Sequence, residues 1–457
     1  MFHTLLLQWL CTNIFWAGGW AIIGQQLVCF YLSIYWGLLG VAWVWVRGAL
    51  PRVPGALVLA VLWVAMEGLQ AVLFSGFGWS ALGYSQGPDL AFLQLASVGG
   101  VSLLSGVLVA VNALVAEAWC VRERRLLKLA AAGGIVLAAH GAGWLLLAPA
   151  GPASFQVGLY QSNYSQEMKW DRDFSEEMVA RAAEQSRRLA QMEAVDLFVW
   201  PEALVMDDYR QPELLQVMQD LSRDTGVPLF TGVTRLEGGN DFNSSILVEK
   251  SGEITGIYDK VHLAPFGEYV PLNLPFIDQV VPGGVAKGDH QKVLAFDSRH
   301  LGPLICFEVL FSGMADQLRR LGADVLVVVT NLAWFGASNA VPQELEIARL
   351  RAVETRLPLI HSSNTGISGV FDPFGRFTVV NAIIAKAAYH KWPGGELDPM
   401  RTRNQRMVGA LAVAAPVRNI VPRGPVVAPW VAVGLSVVLL GGALAARRRA
   451  AKTGSAQ

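Results

Sequence analysis

Three side chains in this sequence have the types needed for acyl transfer: the carboxyl of Glu202, the amine of Lys260 and the thiol of Cys306. Leu304-Ile305-Cys306 reads as the close of a buried strand, and Cys306-Phe307-Glu308 turns out of it toward a predicted helix at Met314–Leu321. A thiol at such a turn lies where backbone N–H groups and the helix dipole favour a thiolate and bind an oxyanion. Asp196-Leu-Phe-Val-Trp-Pro runs as a buried strand into Glu202, which sets a carboxylate at the edge where α/β sheets gather ligands. A carboxylate beside a thiol can take its proton, and a nearby ammonium favours thiolate and tetrahedral oxyanion alike. Glu as base, Lys as electrostatic partner and Cys as nucleophile complete the set for acyl transfer. Spacing alone does not join them: taken singly, Cys306 reads as a small core hydrophobe and the other two as surface charges.

The elements that must position these groups fall into two kinds. Apolar runs near Leu5–Ile22, Gln26–Val46, Gly55–Phe74, Leu93–Trp119, Leu129–Ala148 and Ala428–Ala446 are each long enough to cross about 30 Å of hydrocarbon, which gives six candidate spans. The first run has no basic segment ahead of it and no cleavage motif, so it reads as a retained helix. From residue 155 the pattern becomes that of an α/β domain. Strands are predicted at Phe155–Tyr160, Leu197–Val199, Leu229–Val233, Ser245–Val248, Leu304–Cys306, Val325–Val329, Leu359–His361, Ser368–Phe371 and Val408–Val417. Helices are predicted at Glu176–Gln191, Pro212–Ser222, Met314–Leu321 and Gln343–Thr355, with a polar surface excursion at Tyr389–Arg406.

Composition agrees with this division. The chain is 53% hydrophobic and 16% charged, where a soluble domain carries about a quarter charged residues. Lysine plus arginine equals aspartate plus glutamate at 36 each, so nothing points to nucleic acid. No Lys, Arg, Asp or Glu precedes Arg47. Basic clusters at Arg47 and Arg52, at Arg122, Arg124, Arg125 and Lys128, and at Arg447–Arg449 with Lys452 fall on one side if six spans alternate. Residues 152–425 then face outward, into the periplasm of a bacterium. The expected organisation is a membrane α-helical bundle of about five spans over 1–150, an outward α/β domain over 151–425, a last span over 426–449 and a cytoplasmic tail over 450–457. Of four cysteines, Cys11, Cys29 and Cys120 lie in or beside apolar runs, and His262, His290, His300 and His361 lack ligand spacing, so no metal or other cofactor is expected. Glu67, inside the third run, reads as a structural hydrogen-bonding post or a contact for a polar head group.

Trp-Pro-Glu202, Asp-Lys260-Val-His-Leu, Cys306-Phe307-Glu308 and Asn331-Leu-Ala-Trp334-Phe-Gly336 resemble the signature stretches of the nitrilase superfamily, whose fold is an αββα sandwich. Further likenesses at Trp63-x-x-x-Glu67, Phe77-Gly-Trp79, Leu82–Gln86, Lys169-Trp170, Pro265–Pro271, Gln343 with Ala348–Ala352, and Asn364-Thr-Gly366 are similar to its membrane-embedded branch, the apolipoprotein N-acyltransferases. That resemblance implies attack by Cys306 on a phospholipid ester, with Glu202 as base and Lys260 stabilising the oxyanion. The acyl chain would then pass from the thioester to the α-amino group of a diacylglyceryl-cysteine at a lipoprotein N-terminus. It also implies supporting roles for Glu268, Phe307, Glu308, Asn331 and Trp334, and a lipid contact at Trp170. The partners expected are a phospholipid donor and a lipoprotein acceptor at a monomeric inner-membrane enzyme with a periplasmic catalytic domain.

Several positions depart from the family. Its members usually have about eight spans, two more than are counted here. Leu332, Gly78 and Gln70 stand where the family has an acid, a proline and a basic residue. A membrane-tethered amidase that passes the acyl group to water, a paralogue with another acceptor amine and an inactive scaffold are the competing readings. Leu272–Ile277 and Leu332–Phe335 are apolar stretches open to two roles, lipid contact or packing on the domain core.

Overall fold

The computed structural model describes residues 1–13, 20–149, 151–169, 174–269, 284–336, 338–379, 407–414 and 424–454. Trp170, Leu272–Ile277 and Tyr389–Arg406 lie outside them. The chain forms two compact units, one of 1–8, 22–148 and 421–457, the other of 9–21 and 149–420.

In the first unit the expected span Leu5–Ile22 is not one continuous helix. Helix α1 (Phe2–Leu6) ends after five residues, and α2 (Leu10–Asn13) has four and belongs with the second unit. The polar residues Gln8, Thr12 and Asn13 interrupt the run. The Gln25 amide donates to the main-chain carbonyls of Leu7 (3.1 Å) and Thr4 (3.3 Å), satisfying acceptors that a longer helix would have bonded itself. The apolar helices that follow are α3 (Trp20–Ala49), α4 (Gly55–Gln70), α6 (Ala96–Cys120) and α7 (Arg125–Leu146), with a short α5 (Leu90–Leu93) between, and a C-terminal helix, Gly424–Gly454. Four of them are long and apolar enough to cross a membrane; α4 is shorter. Gly68 of α4 permits close approach to the C-terminal helix, because a Cβ there would sit 2.8 Å from Cβ of Pro429.

Glu67 ties α4 to the aromatic loop that follows it. Its Oε1 accepts from Trp63 Nε1 (2.8 Å) and from the Leu82 amide (2.9 Å). Gln70, one turn later, donates to Ser80 Oγ (2.6 Å) and to the Phe77 carbonyl (3.1 Å). The structural post is the role these contacts describe.

The second unit is built on two sheets. Strands β1 (Ala153–Gln161), β2 (Leu197–Val199), β3 (Val205–Asp208), β4 (Leu229–Glu237), β5 (Asn240–Val248) and β6 (Ile254–Asp259) belong to the first. The second is β7 (Leu294–Phe296), β8 (Arg299–Ile305), β9 (Val325–Thr330), β10 (Leu359–Ser363), β11 (Gly369–Phe371) and β12 (Phe377–Val379); β13 (Met407–Ala414) returns to the first sheet, antiparallel to β1. The first runs β13-β1-β2-β4-β5-β6, with β3 on β4, and the second β12-β11-β10-β9-β8-β7. Strand alternation sorts the side chains. Val157, Leu159, Leu197 and Val199 meet Ile305, Val327 and Val329 between the sheets, where each buried side chain contributes about 1.5–3 kcal/mol. Tyr160, Phe198 and Trp200 point the other way, onto α9 (Ser175–Met192) and α10 (Pro212–Thr225). Helices α11 (Ser312–Arg320) and α12 (Ala340–Thr355) pack on the second sheet, against β8 and β10, completing the αββα layering. A four-residue α8 (Gln166–Lys169) follows β1.

Candidate active site

Glu202 is the third residue after β2, at the end of a turn through Trp200 and Pro201, and is 6% exposed. Gly232 of β4 lies directly beneath it, and a Cβ there would stand 2.6 Å from Cα of Glu202. The next residue, Ala203, has φ of 49°, a left-handed backbone that costs a non-glycine residue about 1 kcal/mol or more. Lys260 follows β6 and is 1% exposed. Its Nζ donates to Glu268 Oε1 (2.8 Å) and lies 3.8 Å from Glu202 Oε1. Asn243 of β5 joins the two carboxylates, its Nδ2 donating to Glu202 Oε1 (2.8 Å) and to Glu268 Oε1 (2.9 Å). The Ala264 amide donates to Glu268 Oε2 (2.7 Å). Burial opposes the charge on Lys260, but Glu268 and Glu202 outweigh it and raise its pKa, so it stays an ammonium.

Cys306 opens a five-residue 3-10 turn, Cys306–Leu310, at the end of β8, and its φ is 49°. The expected turn out of the strand is present, and the helix predicted at Met314–Leu321 is α11, which begins at Ser312. The expected thiolate is corrected. Burial, then the charge of Glu202, push the Cys306 thiol well up; Lys260 and the Thr330 hydroxyl pull it down, and Glu344 pushes it up again. The thiol rests protonated, so it needs a base to make it a nucleophile.

Glu308 is a brace. Its Oε1 accepts from Tyr258 Oη (2.8 Å) and from the amides of Val261 (2.8 Å) and His262 (3.0 Å), and its Oε2 from the Ile305 amide (2.8 Å). One fully buried carboxylate thus fastens the Lys260 loop to the Cys306 turn. Phe307 packs with Phe311 (centroids 5.4 Å apart) and His262 (5.9 Å), and His262 lies 3.9 Å from Phe311, forming an aromatic cluster beside the nucleophile.

Asn331 does not join the charged cluster. Its Nδ2 donates to Gln166 (2.9 Å) and its Oδ1 accepts from Asn364 Nδ2 (2.8 Å), while Asn364 also bonds Ser162 and both backbone groups of Tyr164. The pair secures the segment after β1. Trp334 is half-buried in the 3-10 turn Leu332–Phe335. In that stretch Leu332 is core, and Phe335 meets the ring of Trp9 edge to face at 5.0 Å, while Trp9 Nε1 donates to Gln343 (3.0 Å). Packing, within the same unit, is what these two side chains do.

Asn243, Thr330, Tyr258 and Lys169 were not singled out as site residues in the sequence. Lys169 stands beside Trp170 in a family-like stretch, and no spacing marks Asn243, whose role appears once β5 is paired with β6. No group of three or more His, Cys, Asp or Glu among the described residues could hold a metal ion.

The carbon–nitrogen hydrolase family profile matches residues 156–383, and that of the apolipoprotein N-acyltransferase N-terminal domain matches residues 1–114. The apolipoprotein N-acyltransferase of Geobacter metallireducens is 32% identical over 374 residues, 78% of this chain and 71% of its own length. That of Azotobacter vinelandii is 32% identical over 431 residues, 89% of this chain and 77% of its own. Among solved structures, the carbon–nitrogen hydrolase of Helicobacter pylori G27 is 17% identical with a TM-score of 0.40, covering 56% of this chain and 89% of that one. A mutant of the Nesterenkonia AN1 amidase of the nitrilase superfamily is 21% identical with a TM-score of 0.41, covering 62% and 99%. On the identity and coverage of its curated relatives, the chain belongs to the apolipoprotein N-acyltransferase family.

Proposed function

We propose that Cys306, Glu202 and Lys260 carry the acyl transfer of this family, moving an acyl chain from a membrane phospholipid to the α-amino group of a lipoprotein's N-terminal diacylglyceryl-cysteine. The observation that carries the reading is the buried cluster Glu202–Asn243–Glu268–Lys260, whose charges act on Cys306. In the first step Glu202 takes the thiol proton and sulfur attacks the ester carbonyl, whose oxygen becomes negative beside the Lys260 ammonium. The C–O bond breaks, the leaving lysophospholipid oxygen receives the proton from Glu202, and a thioester remains. In the second step Glu202 takes a proton from the incoming amine as its nitrogen attacks the thioester. The C–S bond then breaks, sulfur regains a proton, and the amide departs. Two half-reactions through one covalent intermediate give ping-pong kinetics.

Glu268 holds Lys260 in place, Glu308 and Phe307 shape the nucleophile turn, Asn331 secures the segment after β1, Trp334 has a supporting role, and Trp170 contacts lipid. The helices support a membrane protein, and the positions of the basic residues support a catalytic unit outside the cytoplasm. The α3–α4 joint, the α6–α7 joint and the end of the last helix carry the Arg and Lys clusters, which alternation puts on one side even without a span at Leu5–Ile22. We place the chain in the bacterial inner membrane with residues 151–425 in the periplasm. It acts there as a monomer.

Incubation of the full chain with mixed micelles of detergent and phospholipid, followed by intact-protein mass spectrometry, tests the reading. A hydroxylamine-labile acyl adduct that Cys306→Ala lacks is the expected result. Its absence from a folded sample, or ammonia released from a soluble amide at a comparable rate, would sink it in favour of the amidase.

A further inference from the structure

The turn that carries the nucleophile has two faces. Glu308, Val309 and Leu310 are buried beneath it, whereas Cys306, Phe307 and Phe311 are only half-buried. What the turn leaves partly uncovered is therefore a thiol and two phenyl rings. The half-buried ring of His262 completes the group, 3.9 Å from that of Phe311, while Phe307 stands 5.4 Å from Phe311. The acid–base chemistry uses none of this aromatic surface.

The rings are held from the backbone. The Phe311 amide donates to the Glu308 carbonyl (3.1 Å), and the Phe311 carbonyl accepts from the Met314 amide (3.0 Å) as α11 begins. Across from it, the His262 amide donates to Glu308 Oε1 (3.0 Å). Glu308 thus fixes both members of the closest ring pair, one through its carbonyl and the other through its carboxylate. The loop that supplies His262 to the rings also supplies Lys260 to the charged cluster, 2.8 Å from Glu268.

A thioester on Cys306 starts one residue from Phe307, and its alkyl chain must run over some surface from there. The charged cluster is a poor one. Methylenes laid on Glu202, Asn243, Glu268 and Lys260 would take water from polar groups and return no hydrogen bond. The rings offer apolar contact of fixed shape instead. Such a wall accepts a straight chain more readily than a methyl-branched one, because a branch needs room that a ring already fills.

We propose that Phe311, backed by His262, is a specificity-determining residue for the acyl donor, its ring lying along the first carbons of the bound chain and selecting straight chains over chains branched near the carboxyl. The inference rests on the reading of Cys306 as the nucleophile. Phe311 gives and takes no proton, so replacing its ring changes which chain is transferred without abolishing transfer.

The experiment is a competition on the full chain in mixed micelles of detergent with equal amounts of dipalmitoyl and diphytanoyl phosphatidylglycerol. The second lipid carries its first methyl branch on the β-carbon of each acyl chain. Intact-protein mass spectrometry at early times reads the two hydroxylamine-labile adducts separately, so their ratio does not depend on how much of the sample is active. The parent is expected to favour palmitoyl. Phe311→Ala is expected to raise the phytanoyl-to-palmitoyl ratio about threefold or more, and Phe311→Leu to fall between the two. A ring that merely packs the turn predicts fewer adducts of both kinds at the parent's ratio, and that result overturns the proposal. A parent that takes both chains equally overturns it too. Should Phe311→Ala fail to fold, Phe311→Leu decides by the same ratio. No adduct of either chain on the folded parent would remove the nucleophile on which the proposal stands, whereas an unmoved ratio leaves that nucleophile in place and rejects Phe311 alone.

Discussion

Two buried carboxylates, one in each unit, are treated in opposite ways. Glu308 in the α/β unit has donors on both oxygens, three amides and a phenol. Glu67 in the helical unit has two donors on Oε1, and its Oε2 makes no hydrogen bond of good geometry among the described residues. Each links a helix or turn to a loop. The first is closed to further bonding, because all its capacity is spent on the chain around Cys306; the second keeps one buried oxygen with bonding capacity unspent. A carboxylate can be buried cheaply only when the backbone delivers its amides to it, as a tight turn does and a transmembrane helix, whose amides are already used, cannot.

The largest effect belongs to the control. Cys306→Ala should remove the acyl adduct entirely, seen by intact mass, while leaving both carboxylate braces in place and thermal unfolding within about 1 kcal/mol of the parent. A large loss of stability in that variant would mean that the nucleophile turn is held by its thiol and not by Glu308. Glu308→Ala attacks the closed carboxylate and strands four buried donors. A destabilisation of about 3 kcal/mol or more is expected, with hydrogen exchange quickening first at the amides of Val261, His262 and Ile305. Gly232→Ala forces a methyl against the Glu202 backbone; acylation should slow about 10- to 100-fold for a stability cost of about 1–3 kcal/mol, read by stopped-time adduct measurement and denaturant titration. Glu67→Gln is the mildest change. It keeps an acceptor for Trp63 and Leu82 and sets an amide group where Oε2 stood, so stability should move by less than about 1 kcal/mol and acylation not at all. A marked loss of acylation there would show that this oxygen serves the substrate.

Much of the α/β unit was legible in the sequence because its strands are fully buried apolar runs. Leu197–Val199 and Val325–Val329 are bounded by turn residues and β-branched in content, and they appear where periodicity puts them. Strands β3, β6, β7 and β12 were not legible: β3, β7 and β12 are three or four residues long and β6 alternates apolar and polar residues around Gly256, so pairing with a neighbour, not local pattern, makes them strands. The first transmembrane run misled because hydropathy averages over Gln8, Thr12 and Asn13, while the end of α1 is decided by one distant amide, Gln25. Of the site, the residues in marked turns were readable. Asn243 and Lys169 were not, since one sits in an alternating strand and the other bonds the main-chain carbonyl of Glu202, which no side-chain pattern reveals.

The pairing of β1 with β13 also sets a schedule for biogenesis. β1 ends at Gln161, and the strand that covers its outer edge begins at Met407. Roughly 250 residues separate them, so at about 5–20 residues per second the ribosome needs roughly 10–50 s to deliver the missing neighbour. For that interval β1 presents unpaired N–H and C=O groups, an open invitation to foreign strands. Any nascent chain released before residue 407 keeps that edge for good, even with Glu202, Lys260 and Cys306 already translated. Quality control of this protein should therefore depend on its last strand as much as on its catalytic centre.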